Sequence, residues 1–475
     1  MTETLTPDIC VIGAGSGGLT VAAATAGFGV PVVLIEKDRM GGDCLNTGCV
    51  PSKALIAAAG HAQAARAASA FGIGCGDLDV DFSAVHAHVH DVIAGIAPHD
   101  SVERFTGLGV HVIKGAGRFV DKNTVAVGDT LIKARRFVVA TGSSALIPPI
   151  PGIDTVPVLT NETIFELTTL PEHLVILGGG PIGMELAQAF RRLGSAVTVV
   201  EMAKPLAKDD PDMASVVVDA LTREGVMILA ETRATAVARD GEGIAVTVEG
   251  PEGPRTITGS HLLVAAGRKP NLDGLGLAEA GIASERSGIV VDKGLRTTNR
   301  RVYAIGDVAG GLQFTHVAGY HAGLVIRSAL FRLPVKENRA IIPWVTYTDP
   351  ELAHVGLTEA DARTRHGDAV RVLTWSFADN DRARAERRTE GKVKVIATKR
   401  GRILGADIVG VNAGELIAPW ALAISAGLGL KAMTGFIPAY PTLSEVSRRV
   451  ALTHYIPGLT NPFVRRIIAA LRLFG

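Results

Sequence analysis

The sequence predicts an α/β protein built on two copies of one supersecondary unit. A buried strand, a glycine-rich loop, a helix, a second strand and a terminal acid follow one another twice, at well-separated positions. A composition of 47 % hydrophobic residues with 55 glycines suits buried parallel strands joined by tight turns. Directly after the first copy comes a cysteine pair, Cys44 and Cys49, in the run GGDCLNTGCVPSK. The length of 475 residues leaves room for roughly two to four domains.

In the first copy, residues 9–12 read as a strand, GAGSGG supplies Gly13, Gly15 and Gly18, residues 19–28 read as a helix, and residues 32–35 lead to Glu36. In the second, residues 174–177 are followed by GGGPIG with Gly178, Gly180 and Gly183, then a helix over 184–193 and a strand over 197–200 leading to Glu201. One glycine of each loop makes the tight turn, one lets the backbone reach a pyrophosphate, and one lets helix pack on strand, while the helix N-terminus attracts phosphate. An acid 18 residues beyond the last glycine then accepts from a ribose hydroxyl. Two Rossmann-like dinucleotide-binding domains follow.

The cysteine spacing, with four residues between the thiols, is wider than the CxxC of zinc sites, and the only other cysteines are Cys10 and Cys75. A redox-active disulfide on a helix fits better than a metal knuckle, and in a reducing cytosol so close a pair is catalytic rather than structural. Because the first copy runs straight into this pair, its nucleotide must exchange electrons with sulfur. A flavin can take hydride on one face and meet a thiolate on the other, so the first copy is expected to hold FAD and the second NAD(P)H. A net charge of +1 gives no footprint for nucleic acid. No apolar run approaches the roughly 18 residues of a membrane span. The N-terminal MTETLTPDICVIG lacks both a basic stretch and a cleavable apolar one, so a cytoplasmic location is expected.

Together with ATGS at 140–143, AAGRKPN at 265–271, YAIGDVAG at 303–310, THVA at 315–318 and YPTLSE at 440–445, these motifs resemble the FAD-dependent pyridine nucleotide-disulfide oxidoreductases over nearly the whole chain. That family includes dihydrolipoamide dehydrogenase, glutathione reductase and mercuric reductase. The resemblance implies that Cys49 is the flavin-side sulfur, carrying the charge-transfer thiolate, and that Cys44 is the interchange sulfur that meets substrate. Lys53, one turn beyond Cys49, would lie near the flavin ring and pair with Glu185; a cation and a helix N-terminus both lower a thiol pKa. FAD contacts are implied at Gly13, Gly15, Gly18, Glu36, Lys37, Gly42, Ala116, Thr141, Gly142, Ser143, Asp307, Thr315, His316 and Ala318. Of these, Asp307 would serve the ribitol, and the helix opening near His316 would aim its amides at the flavin. Nicotinamide nucleotide contacts are implied at Gly178, Gly180, Gly183, Glu201, Gly267 and Arg268, with an ion pair at a domain hinge as the other reading of Arg268. A carboxylate at Glu201 repels a 2′-phosphate, which favours NADH, and Lys204 three residues on keeps NADPH as the alternative.

Domain limits are expected at 1–150 and 272–340 for FAD, 151–271 for NAD(P), and 341–475 for an α+β part that resembles the family's dimerisation domain. That last part would deliver Tyr440 and Glu445 into the partner subunit's dithiol site, hence an obligate homodimer. Tyr440 is a departure, since dihydrolipoamide dehydrogenase and glutathione reductase carry a histidine five residues before the glutamate. A phenol with a reference pKa near ~10 exchanges a thiol proton poorly at neutral pH. Mercuric reductase resembles this chain in placing a tyrosine there, yet it also uses a C-terminal cysteine pair and often an N-terminal metal-carrying domain, neither of which this sequence shows. A reductase of a disulfide, metal-ion or quinone-like acceptor is therefore expected, with dihydrolipoamide dehydrogenase and a flavin-based redox sensor as alternatives. In VHAHVH, His86 and His90 share a helical face at the spacing of a metal pair, but no third ligand is evident and no metal is expected. The tail 461–475 opens on Asn-Pro and places Phe463, Ile467, Leu471 and Phe474 opposite Arg465, Arg466 and Arg472. It is read as an amphipathic helix that packs on the dimer body or contacts a membrane surface.

Overall fold

The computed structural model describes residues 3–459 and 461–474. The chain forms two compact units. The first consists of the segment up to Gly179 with Ala189–Met202 and Glu231–Glu337; the second consists of Gly180–Gln188, Ala203–Ala230 and the segment from Asn338 onward.

The first unit holds a parallel sheet in the order Val302–Ala304, Arg136–Val139, Ile9–Ile12, Val32–Glu36, His111–Lys114. ICVI and VVLIE are buried at every position, which is what parallel strands covered on both faces require. A second parallel arrangement runs Val158–Leu159, His261–Val264, His173–Leu177, Ala196–Val200. Around these lie a sheet of Glu3–Leu5, Thr130–Ile132, Thr124–Val127 and Arg118–Asp121 and an antiparallel one of Arg233–Asp240, Gly243–Gly250 and Gly253–Gly259. The two glycine-loop helices occupy Ser16–Gly27 and Pro181–Leu193, each starting three residues before its expected first residue. Glycine and proline score poorly as helix formers, but here tertiary packing overrides propensity. A Cβ at Gly17 would meet Ala318 Cβ at 3.3 Å, so glycine lets the helix Thr315–Ala329 lie close against Ser16–Gly27.

The second unit is organised on an antiparallel sheet in the order Pro343–Thr346, Glu351–Gly356, Ile403–Gly410, Lys392–Thr398, Val370–Ser376. The helices Ala418–Ser425 and Glu445–Thr453 pack on it. They are joined by the fully buried Trp420, whose Nε1 donates to Ser447 Oγ at 3.1 Å. Lys394, 7 % exposed, reaches Asp210 and Glu359 at 2.7 Å each from inside this sheet. Among the described residues no helix is long and apolar enough to cross a membrane.

Candidate functional site

The two glycine loops obey the same steric constraint. Gly13 has φ +104 and Gly178 has φ +113, and a Cβ on either would sit 2.4 Å from a carbonyl, that of Ala140 or of Ala265. A Cβ on Gly18 would lie 1.9 Å from Gly13 O, so helix and turn can only meet there without a side chain. Gly15 and Gly180 differ: a Cβ on either would meet nothing within 4 Å. Protein packing does not demand glycine at these two positions, each placed at a helix start where phosphate is favoured; the open cradles fit dinucleotides. At the strand ends, Glu36 accepts from Ala14 N at 2.6 Å and Asp38 N at 2.8 Å, and Glu201 accepts from Gly179 N at 2.6 Å. Both carboxylates thus stand beside their own loops. Gly183 is buried within its helix.

The dithiol segment is fastened to the first loop. Gly41 N donates to Ala14 O at 2.9 Å, Gly15 and Gly41 form a parallel bridge, and a Cβ on Gly42 would sit 2.8 Å from Gly15 Cα. Cys44 lies in the short helix Gly42–Asn46, and Cys49 opens the helix Cys49–Ala67. Both are free thiols, Cys49 exposed and Cys44 half-buried. Cys49 Sγ is 3.4 Å from Thr315 Oγ1. The hydrogen bond from Cys44 pulls the Cys49 thiol down to about 6 against partial desolvation of the sulfur, helped by the Thr315 hydroxyl and the Lys53 charge. Donating that bond, together with burial, pushes the Cys44 thiol up. The two sulfurs titrate as a unit, with the Cys49 thiol favoured to lose its proton first. Lys53 Nζ donates to Ser52 Oγ at 3.3 Å within the same helix.

Beside the thiols lies a polar cluster whose partners the sequence does not reveal. Asp43 accepts from Thr47 Oγ1 at 2.9 Å and from Asn161 Nδ2 at 2.8 Å, and pairs with Arg268 at 3.2 Å. Arg268, 12 % exposed, also donates to Ser143 Oγ at 2.7 Å and Ser143 O at 2.8 Å and lies 3.8 Å from Asp307. Ser143 Oγ donates to Asp307 at 2.5 Å, while burial pushes the Asp307 carboxyl up. Arg268 thus sits in an ion-pair network that joins Asp43 to Asp307. Asn271 latches the ATGS turn, since its Nδ2 donates to Thr141 O at 2.9 Å, its O accepts from Thr141 Oγ1 at 2.9 Å, and its N donates to Gly142 O at 3.0 Å. Gly142 has φ +67 there, and Gly267 has φ +117 where its carbonyl accepts from Leu146 N. Lys37 and Ala116 are exposed at the ends of neighbouring strands. His316 stacks on Phe314 at 5.3 Å between centroids, and Ala318 faces Gly17 and Gly306. The only signal for Asp43 and Asn271 was membership of the quoted motifs; nothing local marked Asn161.

In the second unit, Glu185 is 5 % exposed and accepts from Tyr347 N at 2.8 Å. Tyr440, 71 % exposed, donates its hydroxyl to Asp381 at 2.9 Å. That hydrogen bond, with the Asp381 charge, raises the phenol above its ordinary pKa and makes it a still poorer base near neutrality. Glu445 opens the helix Glu445–Thr453 and pairs with Arg449 at 3.7 Å. Phe463, Ile467 and Leu471 are all exposed on the short helix Pro462–Leu471. One sequence expectation is corrected: a third potential ligand accompanies His86 and His90, because the fold brings Glu166 beside them.

Residues 7–322 match the family described as pyridine nucleotide-disulphide oxidoreductase, and residues 342–451 match its dimerisation domain. The chain belongs to this family: it is an FAD-dependent pyridine nucleotide-disulphide oxidoreductase that uses NAD(P)H, and its dimerisation domain implies a homodimer. It is 37 % identical to a mercuric reductase of Streptomyces lividans, over 94 % of this chain and 96 % of that one. It is 35 % identical to a dihydrolipoyl dehydrogenase of Geobacillus stearothermophilus, over 95 % of each. Among solved structures it is similar to LpdA from Mycobacterium tuberculosis, with a TM-score of 0.86 at 29 % identity over 94 % of this chain and 99 % of that one. It also resembles the Cu(II) complex of the HOCl-induced flavoprotein disulfide reductase RclA from Escherichia coli, with a TM-score of 0.83 at 31 % identity over 93 % and 99 %.

Proposed function

We propose that this protein reduces a metal-ion, quinone-like or disulfide acceptor through Cys44 and Cys49, drawing electrons from NADH in preference to NADPH. The observation that carries the reading is the cysteine pair itself, fastened to the first glycine loop through Gly41, with Thr315 Oγ1 3.4 Å from Cys49 Sγ. Bound FAD supplies the two-electron relay between nicotinamide and sulfur. One hydride equivalent breaks the Cys44–Cys49 disulfide into one thiol and one thiolate, so above about pH 6 the balance needs no further proton. Thr315 and Lys53 hold the negative charge at Cys49, and Gly41 and Gly42 keep the pair on the loop. Cys44 then meets the acceptor and gives up its proton to water as its sulfur engages it. Oxidising a lipoyl dithiol requires a base that takes and returns a thiol proton. Tyr440, bound to Asp381, is unsuited to that work, which favours metal-ion and quinone-like acceptors over disulfides, lipoamide among them. Tyr440 and Glu445 are proposed to complete the partner subunit's pocket.

The allocation that goes with this reading gives FAD residues 1–150 and 272–340, the nicotinamide nucleotide 151–271 and dimerisation 341–475. A nicotinamide-fed reductase works where that nucleotide pool is kept, and a cytoplasmic location is proposed accordingly. Peripheral membrane contact is proposed for the tail, whose apolar side chains are exposed beside Arg465 and Arg466. Vesicle sedimentation that is unchanged by removing residues 461–475 would dismiss this contact. The function is tested by steady-state oxidation of NADH and of NADPH against mercuric ion, cupric ion, quinones, glutathione disulfide and lipoamide. Expected are turnover with at least one of the first four, faster with NADH, and its loss in Cys44→Ser and Cys49→Ser. Lipoamide as the best acceptor, or full turnover in either serine variant, would overturn the reading.

A further inference from the structure

His86 and His90 lie on the helix Phe82–Ile96, four residues apart and so on one face, with ring centroids 4.2 Å apart. The turn Ile164–Glu166, distant in sequence, sets Glu166 Oε2 3.8 Å from His90 Nε2. One ligand atom from each of the three residues falls within 4.8 Å of the others. We infer that His86, His90 and Glu166 form a binding site for a divalent transition-metal ion, separate from the dithiol and beyond the proposed reductase activity.

Two imidazoles and one carboxylate are a borderline donor set that suits Zn²⁺, Co²⁺, Ni²⁺ or Cu²⁺ and disfavours Mg²⁺ and Ca²⁺, which want oxygen throughout. With metal–nitrogen bonds of about 2.0–2.1 Å, tetrahedral ligands stand about 3.3 Å apart, so the widest pair of donors needs to close by up to about 1.5 Å. Glu166 is exposed and has the freedom to supply that movement. The frame behind the donors is fixed. Val89, Ile164 and Phe165 are each under a tenth exposed, and His86 lines a small apolar cavity with them and with Phe82 and Phe190. His90 Nε2 lies 3.2 Å from Phe165 O, a hydrogen bond that Nε2 gives up when it ligates. Three protein ligands leave a coordination position for water. A bound ion would tie the helix to the segment that carries Asn161, whose side chain braces Asp43 and Thr47 beside Cys44.

The test uses the flavin-loaded protein with its disulfide closed, so that Cys44 and Cys49 cannot ligate. Co²⁺ is titrated by visible absorption and Zn²⁺ by calorimetry. Expected is one equivalent with a d–d spectrum and no sulfur-to-metal charge-transfer band. His90→Ala and His86→Ala should each lose more than about 100-fold in affinity, exceeding the 10–100-fold that outer-shell changes cost. Glu166→Gln, at an exposed position that leaves the fold intact, should lose at least about 10-fold, while His88→Gln on the same helix should bind as the parent does. Unchanged affinity in His90→Ala or Glu166→Gln would overturn the inference. So would binding abolished by Cys75→Ser, or no saturable uptake of either ion.

Discussion

Replacing Cys44 with alanine removes the strongest influence on the Cys49 thiol. In the native pair that thiol is held at about 6, first by the hydrogen bond from Cys44, then by Thr315 and Lys53. A hydrogen bond to a charged group contributes about 1.5–3 kcal/mol, and one pKa unit corresponds to about 1.4 kcal/mol. The full effect would thus be about one to two units; because Cys49 is exposed and solvent screens the charge, about half of that is expected. Cys44→Ala should therefore titrate about 0.5–1 unit above the native protein, whereas Cys44→Ser, which keeps a donor, should stay closer to it. The assay is peptide-resolved alkylation of reduced protein between about pH 5 and 9, with mass spectrometry separating Cys49 from the exposed Cys75 and from Cys10, whose burial pushes its thiol up. Alkylation of Cys49 should be slow below the inflection and fast above it. Identical inflections in the native protein and Cys44→Ala would refute the division of charge between the two sulfurs.

The same division predicts how the reduction potential of the pair varies with pH. Below about pH 6 the reduced pair carries two protons and the slope should be about 59 mV per pH unit, falling to about 30 mV above it as the second proton leaves Cys49. A single slope across pH 5–8, in equilibration with a thiol buffer, would contradict the shifted thiolate. Tyr440→His should raise lipoamide turnover by about 10²-fold, the low end of what a positioned base supplies, while leaving the rate of flavin reduction by NADH unchanged in stopped flow. Glu201→Gln keeps an acceptor for Gly179 N but removes the charge, and should lower KM for NADPH about tenfold, equivalent to about 1.4 kcal/mol of relieved repulsion. Lys394→Met leaves the buried Asp210 without its counter-ion and should cost about 3 kcal/mol, read as a lower midpoint in denaturant with an unchanged slope.

What the sequence made legible was what the chain encodes locally. The strands at Ile9–Ile12 and Val32–Glu36 announce themselves as apolar runs, and the two loops as spaced glycines, of which Gly13 and Gly178 face a carbonyl one strand away. Even here the helix starts at Ser16 and Pro181 escaped, because Gly17, Gly18 and Gly183 break the apolar period that reveals the rest of each helix. The partners of the site were not legible, since Asp43 finds Asn161 and Arg268, Cys49 finds Thr315, and Tyr440 finds Asp381 only through tertiary packing. This gap has a functional meaning. The glycines of the two loops and the dithiol segment obey local stereochemical rules, so their motifs can be read without knowing the fold. On the proposed reading acceptor choice turns on side chains such as Tyr440: a phenol is already a poor proton acceptor for a thiol near neutrality, and its bond to Asp381, 59 positions away, raises its pKa further.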